Sequence, residues 1–378
     1  MTPARPLTLL SVFSTFAVGG PQVRFAALAN HFGRRYRHLV VAMDGATAAR
    51  ERLDAGLDID FLPVAPRQGK TFGNLPPFYR MLRALRPDML VTYNWGAIDW
   101  ALTNLAAGIR HVHIEDGFGP EEAERQLPRR ALIRRLTLRR SMVVLPSRTL
   151  ERIALDDWRL PHARLRYVPN GIDLERLGTP GSGWRERFAG EGPVVGTVAA
   201  LRPEKALDRL LRAFAALPGP AGLVIAGNGP ARPGLERLAA ELGVAERVYF
   251  PGHVSELGAL YSAFDIFALS SDTEQMPLSV IEAMAAGLPV AATDVGDVRL
   301  MVAPENAGFI GPRDDGALAR SLGRLIGDAE LRTRLGAANR AKAAAEYDER
   351  VMFATYGALF DGAELTLPAS RLLSACAA

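Results

Sequence analysis

Short apolar runs of strand length recur along this chain with amphipathic helical stretches between them, and they do so in two separate series. The first places strands at 7–14, 38–43, 59–64, 89–93, 111–114 and 142–145. The second places them at 194–199, 223–226, 248–250, 266–269 and 290–293. Among the intervening stretches, 205–217 carries Leu207, Leu210, Leu211 and Phe214 at helical spacing. Strands alternating with helices in this way form parallel, doubly wound sheets joined by right-handed crossovers. The series breaks near Pro169, Asn170 and Gly171, and the Gly/Pro-rich residues 178–183 mark a linker. The expected fold class is therefore α/β, with two Rossmann-like, doubly wound parallel-sheet domains. Their bounds are 1–170 and 171–347.

Composition limits the alternatives. A chain of 378 residues, 48% hydrophobic, can bury two ordinary cores. One cysteine, Cys376, excludes a disulfide framework or thiolate metal site and points to a reducing, cytoplasmic setting. No apolar run approaches the roughly 18 residues that span a bilayer. Arg5 and the apolar residues up to Val18 have the pattern of a signal peptide. A Rossmann-type domain needs a first strand, however, and 7–14 supplies it ahead of Gly19 and Gly20. Residues 1–180 hold 26 Lys and Arg against 17 Asp and Glu, whereas the remainder holds 19 against 24. The basic half calls for an anionic partner: a membrane surface, an acceptor or nucleic acid. No nucleic-acid module is present, so nucleic acid is the least favoured.

The densest local signal is the stretch 271–291. Ser279 with Glu282 three residues on has the pattern of a capping box, Gly287 supplies a left-handed stop and Pro289 blocks continuation into the next strand. A cap alone would explain Glu282. It does not explain Glu274, which lies upstream in a loop that follows a strand, on the side where doubly wound sheets receive ligands. A helix N-terminus there attracts phosphate, and a carboxylate beside it accepts from sugar hydroxyls.

Glu274, seven intervening residues, Glu282 and the following Ala-Met-Ala-Ala-Gly-Leu-Pro-Val resemble the signature of glycosyltransferase family 4. In order along the chain, Gly19-Gly20-Pro-Gln22, 168–173, 201–205, 225–230 and 294–296 also match, so the resemblance covers about residues 7–360. It implies the GT-B fold, in which the two domains face a central cleft, with a closing helix (348–378) that returns to the first domain. It further implies retaining transfer from a nucleotide-diphospho-sugar, UDP- or GDP-linked, with no metal and no other cofactor. By the same resemblance Arg202 and Lys205 bind the donor pyrophosphate and stabilise the leaving group. Glu282 accepts from the ribose and Glu274 from the transferred sugar. The backbone around Met276, Pro277, Leu278 and Ser279 contacts sugar and phosphate, Gly19 and Gly20 leave room for phosphate, and the base lies near Val254. Ala206 departs from the family, where glycine is common.

On the acceptor side relatives often carry a His after the strand at 111–114. Here Asp116 takes that position and His113 falls within the strand, which leaves open which of them contacts the acceptor. Asp58 and Asp60 form an isolated DxD pattern, better explained by chance than by a metal, and no zinc-spaced cluster exists. The Arg-rich run 129–140 reads as a solvated or domain-edge helix or as a peripheral membrane contact. The expected function is hexosyl transfer to a polysaccharide, lipopolysaccharide or glycolipid acceptor, at the cytoplasmic face. The alternatives are another GT-B enzyme, such as a sugar-nucleotide epimerase, or a catalytically silent nucleotide-sugar-binding protein. A Rossmann dehydrogenase lacks its glycine fingerprint here.

Overall fold

The structure, a computed structural model, describes residues 5–64, 71–122, 125–178, 184–185 and 192–362. Cys376 and most of the 178–183 linker lie outside the described residues. Contacts divide the chain into two compact units, residues 1–169 with 351–378, and residues 170–350.

The first unit begins β1 (Leu7–Phe13), α1 (Gly20–Phe32), β2 (Tyr36–Ala42), β3 (Ile59–Leu62), α2 (Thr71–Leu85) and β4 (Met89–Tyr93). It continues α3 (Ile98–Ala107), β5 (His111–Ile114), α4 (Pro128–Leu138), β6 (Met142–Leu145), α5 (Arg148–Asp156) and β7 (Leu165–Tyr167). The second unit holds α6 (Leu174–Gly178), β8 (Val194–Val198), α7 (Leu207–Ala215), β9 (Gly222–Ala226), α8 (Arg232–Glu241) and β10 (Val248–Gly252). It goes on with α9 (Leu257–Ser262), β11 (Ile266–Leu269), α10 (Leu278–Ala285), β12 (Val290–Thr293) and α11 (Val298–Met301). It closes with β13 (Ile310–Gly311), α12 (Asp315–Gly327) and α13 (Ala329–Glu346), after which α14 (Glu349–Asp361) leads back into the first unit.

Both sheets are parallel, with strand orders β3-β2-β1-β4-β5-β6-β7 and β10-β9-β8-β11-β12-β13. Each is doubly wound, and alternation of side chains along the strands builds one core on each face. On β1, Leu9 and Phe13 enter one cluster while Leu10 and Val12 enter another. On β11, Phe267 and Leu269 face one way and Ile266 and Ala268 the other. The apolar run near the N-terminus is thus β1, hydrogen-bonded on both edges to β2 and β4. The two strands that no periodicity marked are β7 and β13, of three and two residues, which exist because β6 and β12 offer them an edge.

α14 buries Met352, Phe353, Tyr356, Leu359 and Phe360 in the core around β1 and β2. Tyr36 donates its hydroxyl to Asp361 at 2.8 Å. Among the described residues no helix is long and apolar enough to cross a membrane.

Candidate active site

In each sheet the winding reverses beside the first strand, between β1 and β4 and between β8 and β11. Loops leaving the carboxyl ends of such strand pairs border the ligand crevice of doubly wound folds. In the second unit the loop after β8 carries Arg202 and Lys205, and the loop after β11 carries Glu274. Lys205 Nζ lies 2.5 Å from Glu274 Oε1, the same oxygen that accepts from Ser271 Oγ at 2.8 Å. Ser270 Oγ donates to the Lys205 carbonyl at 3.0 Å, and the Asp272 amide donates to the Glu204 carbonyl at 2.9 Å. Lys205 thus pairs with Glu274 rather than with its neighbour Glu204. Arg202 is exposed, and its guanidinium has no partner among the described residues.

Close backbone approaches hold both loops. A Cβ on Gly227 would sit 1.8 Å from the Ala199 carbonyl oxygen, so the glycine lets the loop after β9 seat the Arg202 turn. Gly296, at φ +54, would place a Cβ 2.3 Å from the Glu274 carbonyl oxygen and 2.6 Å from that of Gln275. That explains the 294–296 motif: its glycine packs on the backbone of the Glu274 loop.

Ala206 is the N-cap of α7 and lies in the left-handed region, at φ 44 and ψ 45. A glycine there would be relieved of about 1–2 kcal/mol. It would also add about 0.5–1 kcal/mol of backbone entropy cost and lose a buried methyl worth about 0.8 kcal/mol. The near balance explains why this departure from the family pattern is tolerated.

α10 starts at Leu278 with Pro277 at the N-cap and no side-chain cap, so the expected capping box of Ser279 and Glu282 does not form. Pro277 breaks the chain out of the helix first and has no N–H to give to a phosphate. Glu282 falls one turn inside the helix, where it accepts from the Tyr261 hydroxyl at 2.7 Å. Burial raises its pKa, opposed by the Tyr261 hydrogen bond and the charge of Arg176. At the other end the Gly287 amide bonds to the Met284 carbonyl and the Leu288 amide to that of Ala283, with Gly287 at φ +80. This is the expected left-handed stop. Met276 is buried, and its carbonyl accepts from Asn170 Nδ2 at 3.1 Å. Val254, after the edge strand β10, packs on the same apolar cluster as Tyr261 and Met276.

In the first unit Gly19 is the extended N-cap of α1, with φ −164, and nothing lies within 4 Å of a Cβ built on Gly20. Asp116, just after β5, receives a two-pronged ion pair from Arg24 of α1 at 2.5 and 2.8 Å, both side chains nearly buried. Its amide donates to Asn94 Oδ1 at 2.6 Å, and Asn94 itself holds φ 55 at the end of β4. Asp116 is therefore neither a simple turn former nor crowded by like charge. Burial works against the Arg24 charge, but Asp116 together with the neighbouring Tyr356 and Tyr93 outweighs it and raises that pKa.

The neighbouring Glu115 turns into the core, 3.3 Å from Arg134 Nε and 3.6 Å from His113 Nε2. His113 Nδ1 lies 2.8 Å from Thr92 Oγ1, inside the sheet. Asp58 and Asp60 pair with Arg37. Among the described residues no three His, Cys, Asp or Glu side chains gather as metal ligands.

Residues 18–176 match the family model of Glycosyltransferase Family 4, and residues 183–342 match that of Glycosyl transferases group 1. The chain belongs to glycosyltransferase family 4. It is 33% identical over 271 residues to the D-inositol 3-phosphate glycosyltransferase of Salinispora tropica, covering 65% of this chain and 55% of the relative. It is 32% identical over 220 residues to the GDP-mannose-dependent alpha-(1-6)-phosphatidylinositol monomannoside mannosyltransferase of Mycolicibacterium smegmatis, covering 53% and 57%. The chain thus spans about half the length of the curated relatives it matches. HepE of Anabaena, solved in complex with UDP and glucose, superposes with a TM-score of 0.81 at 20% identity, covering 94% of this chain and all of that one. That likeness shows the GT-B fold.

Within this family 4 chain, sequence reasoning missed Arg24, Asn94 and Tyr261. Arg24 is a lone cation on the buried face of α1, between Val23 and Phe25, which is the one signal that pointed to it. Asn94 and Tyr261 act through a backbone angle and a long-range contact, neither of which has a local pattern.

Proposed function

We propose that the chain transfers a hexosyl unit from a UDP- or GDP-sugar to a polysaccharide, lipopolysaccharide or glycolipid acceptor, with retained configuration and without a metal or other cofactor. The observation that carries this reading is the Lys205–Glu274 pair at the switch point between β8 and β11. A diphosphate arriving there takes Lys205 and Arg202, and a sugar hydroxyl takes Glu274, so neither charge is left unmatched when the pair parts. As the bond from the sugar to the phosphate breaks, the charge gathering on the leaving phosphate is offset by these fixed cations and by the amides at the start of α10. The acceptor oxygen bonds to the same face of the sugar, and its proton passes to the departing phosphate. Glu282 accepts from a ribose hydroxyl, and the base lies toward Val254. Asp116, held by Arg24, contacts the acceptor hydroxyl or donor sugar.

A relative named for GDP-mannose and a structural neighbour solved with UDP support a uracil or guanine donor. Incubation of the full chain with UDP- and GDP-hexoses and candidate acceptors in EDTA tests the reading. It should yield a glycoside of the donor's anomeric configuration. Transfer abolished by EDTA and restored by manganese, or an inverted product, would contradict it.

A further inference from the structure

Arg110, Arg140 and Arg164 occupy equivalent places in the first sheet: each comes one or two residues before a strand, β5, β6 and β7 in turn. These strands are parallel, hydrogen-bonded neighbours. Their amino ends therefore lie side by side at about 4.8 Å per strand. A cavity of about 700 Å³ opens there, and the three arginines line it together with Arg166 of β7. No Asp or Glu is among the lining residues.

Arg110 donates to the carbonyls of Phe360 and Leu359, and Arg166 to those of Ala163 and Leu165. Those bonds fix two guanidinium groups without cancelling their charge. Arg166 keeps a buried Nε with no partner. Arg140 and Arg164 are exposed, and neither guanidinium has a partner among the described residues. Four like charges converging on one concavity repel one another unless an anion sits among them. Guanidinium forks match phosphate oxygens in geometry as well as in charge. The volume lies within the roughly 300–1,000 Å³ usual for small-molecule sites.

We propose that this cavity binds a phosphate-bearing anion, at the end of the sheet opposite Gly19 and Asp116. The phosphate belongs either to a soluble phosphorylated compound or to a phospholipid headgroup. Calorimetric titration of the full chain with inorganic pyrophosphate at low salt tests the first source. Co-sedimentation with phosphatidylcholine vesicles, with and without phosphatidylglycerol, tests the second. All chains carry Arg202→Gln, so that pyrophosphate taken at the proposed donor site does not mask the cavity; onto that parent come Arg140→Gln with Arg164→Gln, or Arg152→Gln as an exposed arginine of α5 outside the cavity.

Both substituted cavity arginines are exposed, so an unchanged circular dichroism spectrum and Tm are expected. Pyrophosphate binding weakened by on the order of tenfold or more when Arg140 and Arg164 are both replaced, and kept in Arg152→Gln, assigns a soluble ligand. The same pattern confined to phosphatidylglycerol vesicles assigns a headgroup. A cavity variant that matches its Arg202→Gln parent with both probes, or loses no more than Arg152→Gln does, overturns the proposal.

Discussion

Glu282 shows how a candidate site residue can oppose the stability of its own fold. Its folded pKa is raised by burial, so the unfolded chain holds this carboxylate's proton less tightly than the folded one does. Stability from this group is therefore complete below the ordinary carboxylate range and is lost as pH rises through the raised folded pKa. Glu282→Gln keeps an acceptor for Tyr261 and removes the buried charge. It should raise Tm at neutral pH, flatten the pH dependence above the ordinary carboxylate range, and lower kcat/KM about ten- to a hundredfold by weakening the proposed ribose contact. Thermal melts from pH 4 to 8 beside steady-state kinetics check both arms; a lower Tm at neutral pH would refute the sign.

Asp116 behaves in the opposite way. Asp116→Asn leaves Arg24 buried with no full countercharge, which should destabilise the first unit by about 3–5 kcal/mol. Urea denaturation decides, and an additive double-mutant cycle with Arg24→Gln would show the pair to be uncoupled. The sequence made Asp116 visible through its place after a strand. It hid Arg24, because an ion pair across 92 residues has no spacing rule.

The helix α4 shows how far an element can be read from its composition. Its arginine run suggests a solvated face or a membrane contact, yet Arg134 is fully buried. There it bonds both oxygens of Glu122 at 3.0 and 3.1 Å and is packed by the rings of Trp95, Phe118 and Trp158. Arg134→Met should cost about 3–5 kcal/mol, because buried Glu115 and Glu122 lose their shared cation; Arg134→Lys should recover only part, lacking the fork. Chemical denaturation with wild-type stability in Arg134→Met would contradict this.

The opposite face of α4 exposes Leu132 and Leu136, 54% and 62% accessible, beside Arg129, Arg135 and Arg139. If this face meets an anionic membrane, vesicle binding should weaken with salt, as the Debye length falls from about 10 Å at 0.1 M to about 3 Å at 1 M. Leu132→Ser with Leu136→Ser should lower it further. Equal binding to neutral and anionic vesicles would remove the electrostatic account. Periodicity identified the long elements but gave no warning of which arginine turned inward, since that depends on where Glu122 and three aromatic rings arrive in space.

At the scale of the whole molecule, the doubly wound pattern was legible because each crossover repeats the same strand and helix signals. The turns that shape the site were less so. Gly296 matters through the carbonyls it packs against, and its replacement by Ala should displace the Glu274 loop and reduce transfer without unfolding the second unit.

The central claim, that the second unit receives a nucleotide-diphospho-sugar at the Lys205–Glu274 pair without a metal, is tested most directly by thermal denaturation of the full chain in EDTA with UDP- and GDP-sugars. At ligand concentrations near 100 times Kd, at least one should raise Tm by about 5–10 °C. Lys205→Ala should abolish most of that shift. No shift with any nucleotide sugar, or the same shift in Lys205→Ala, would contradict the account.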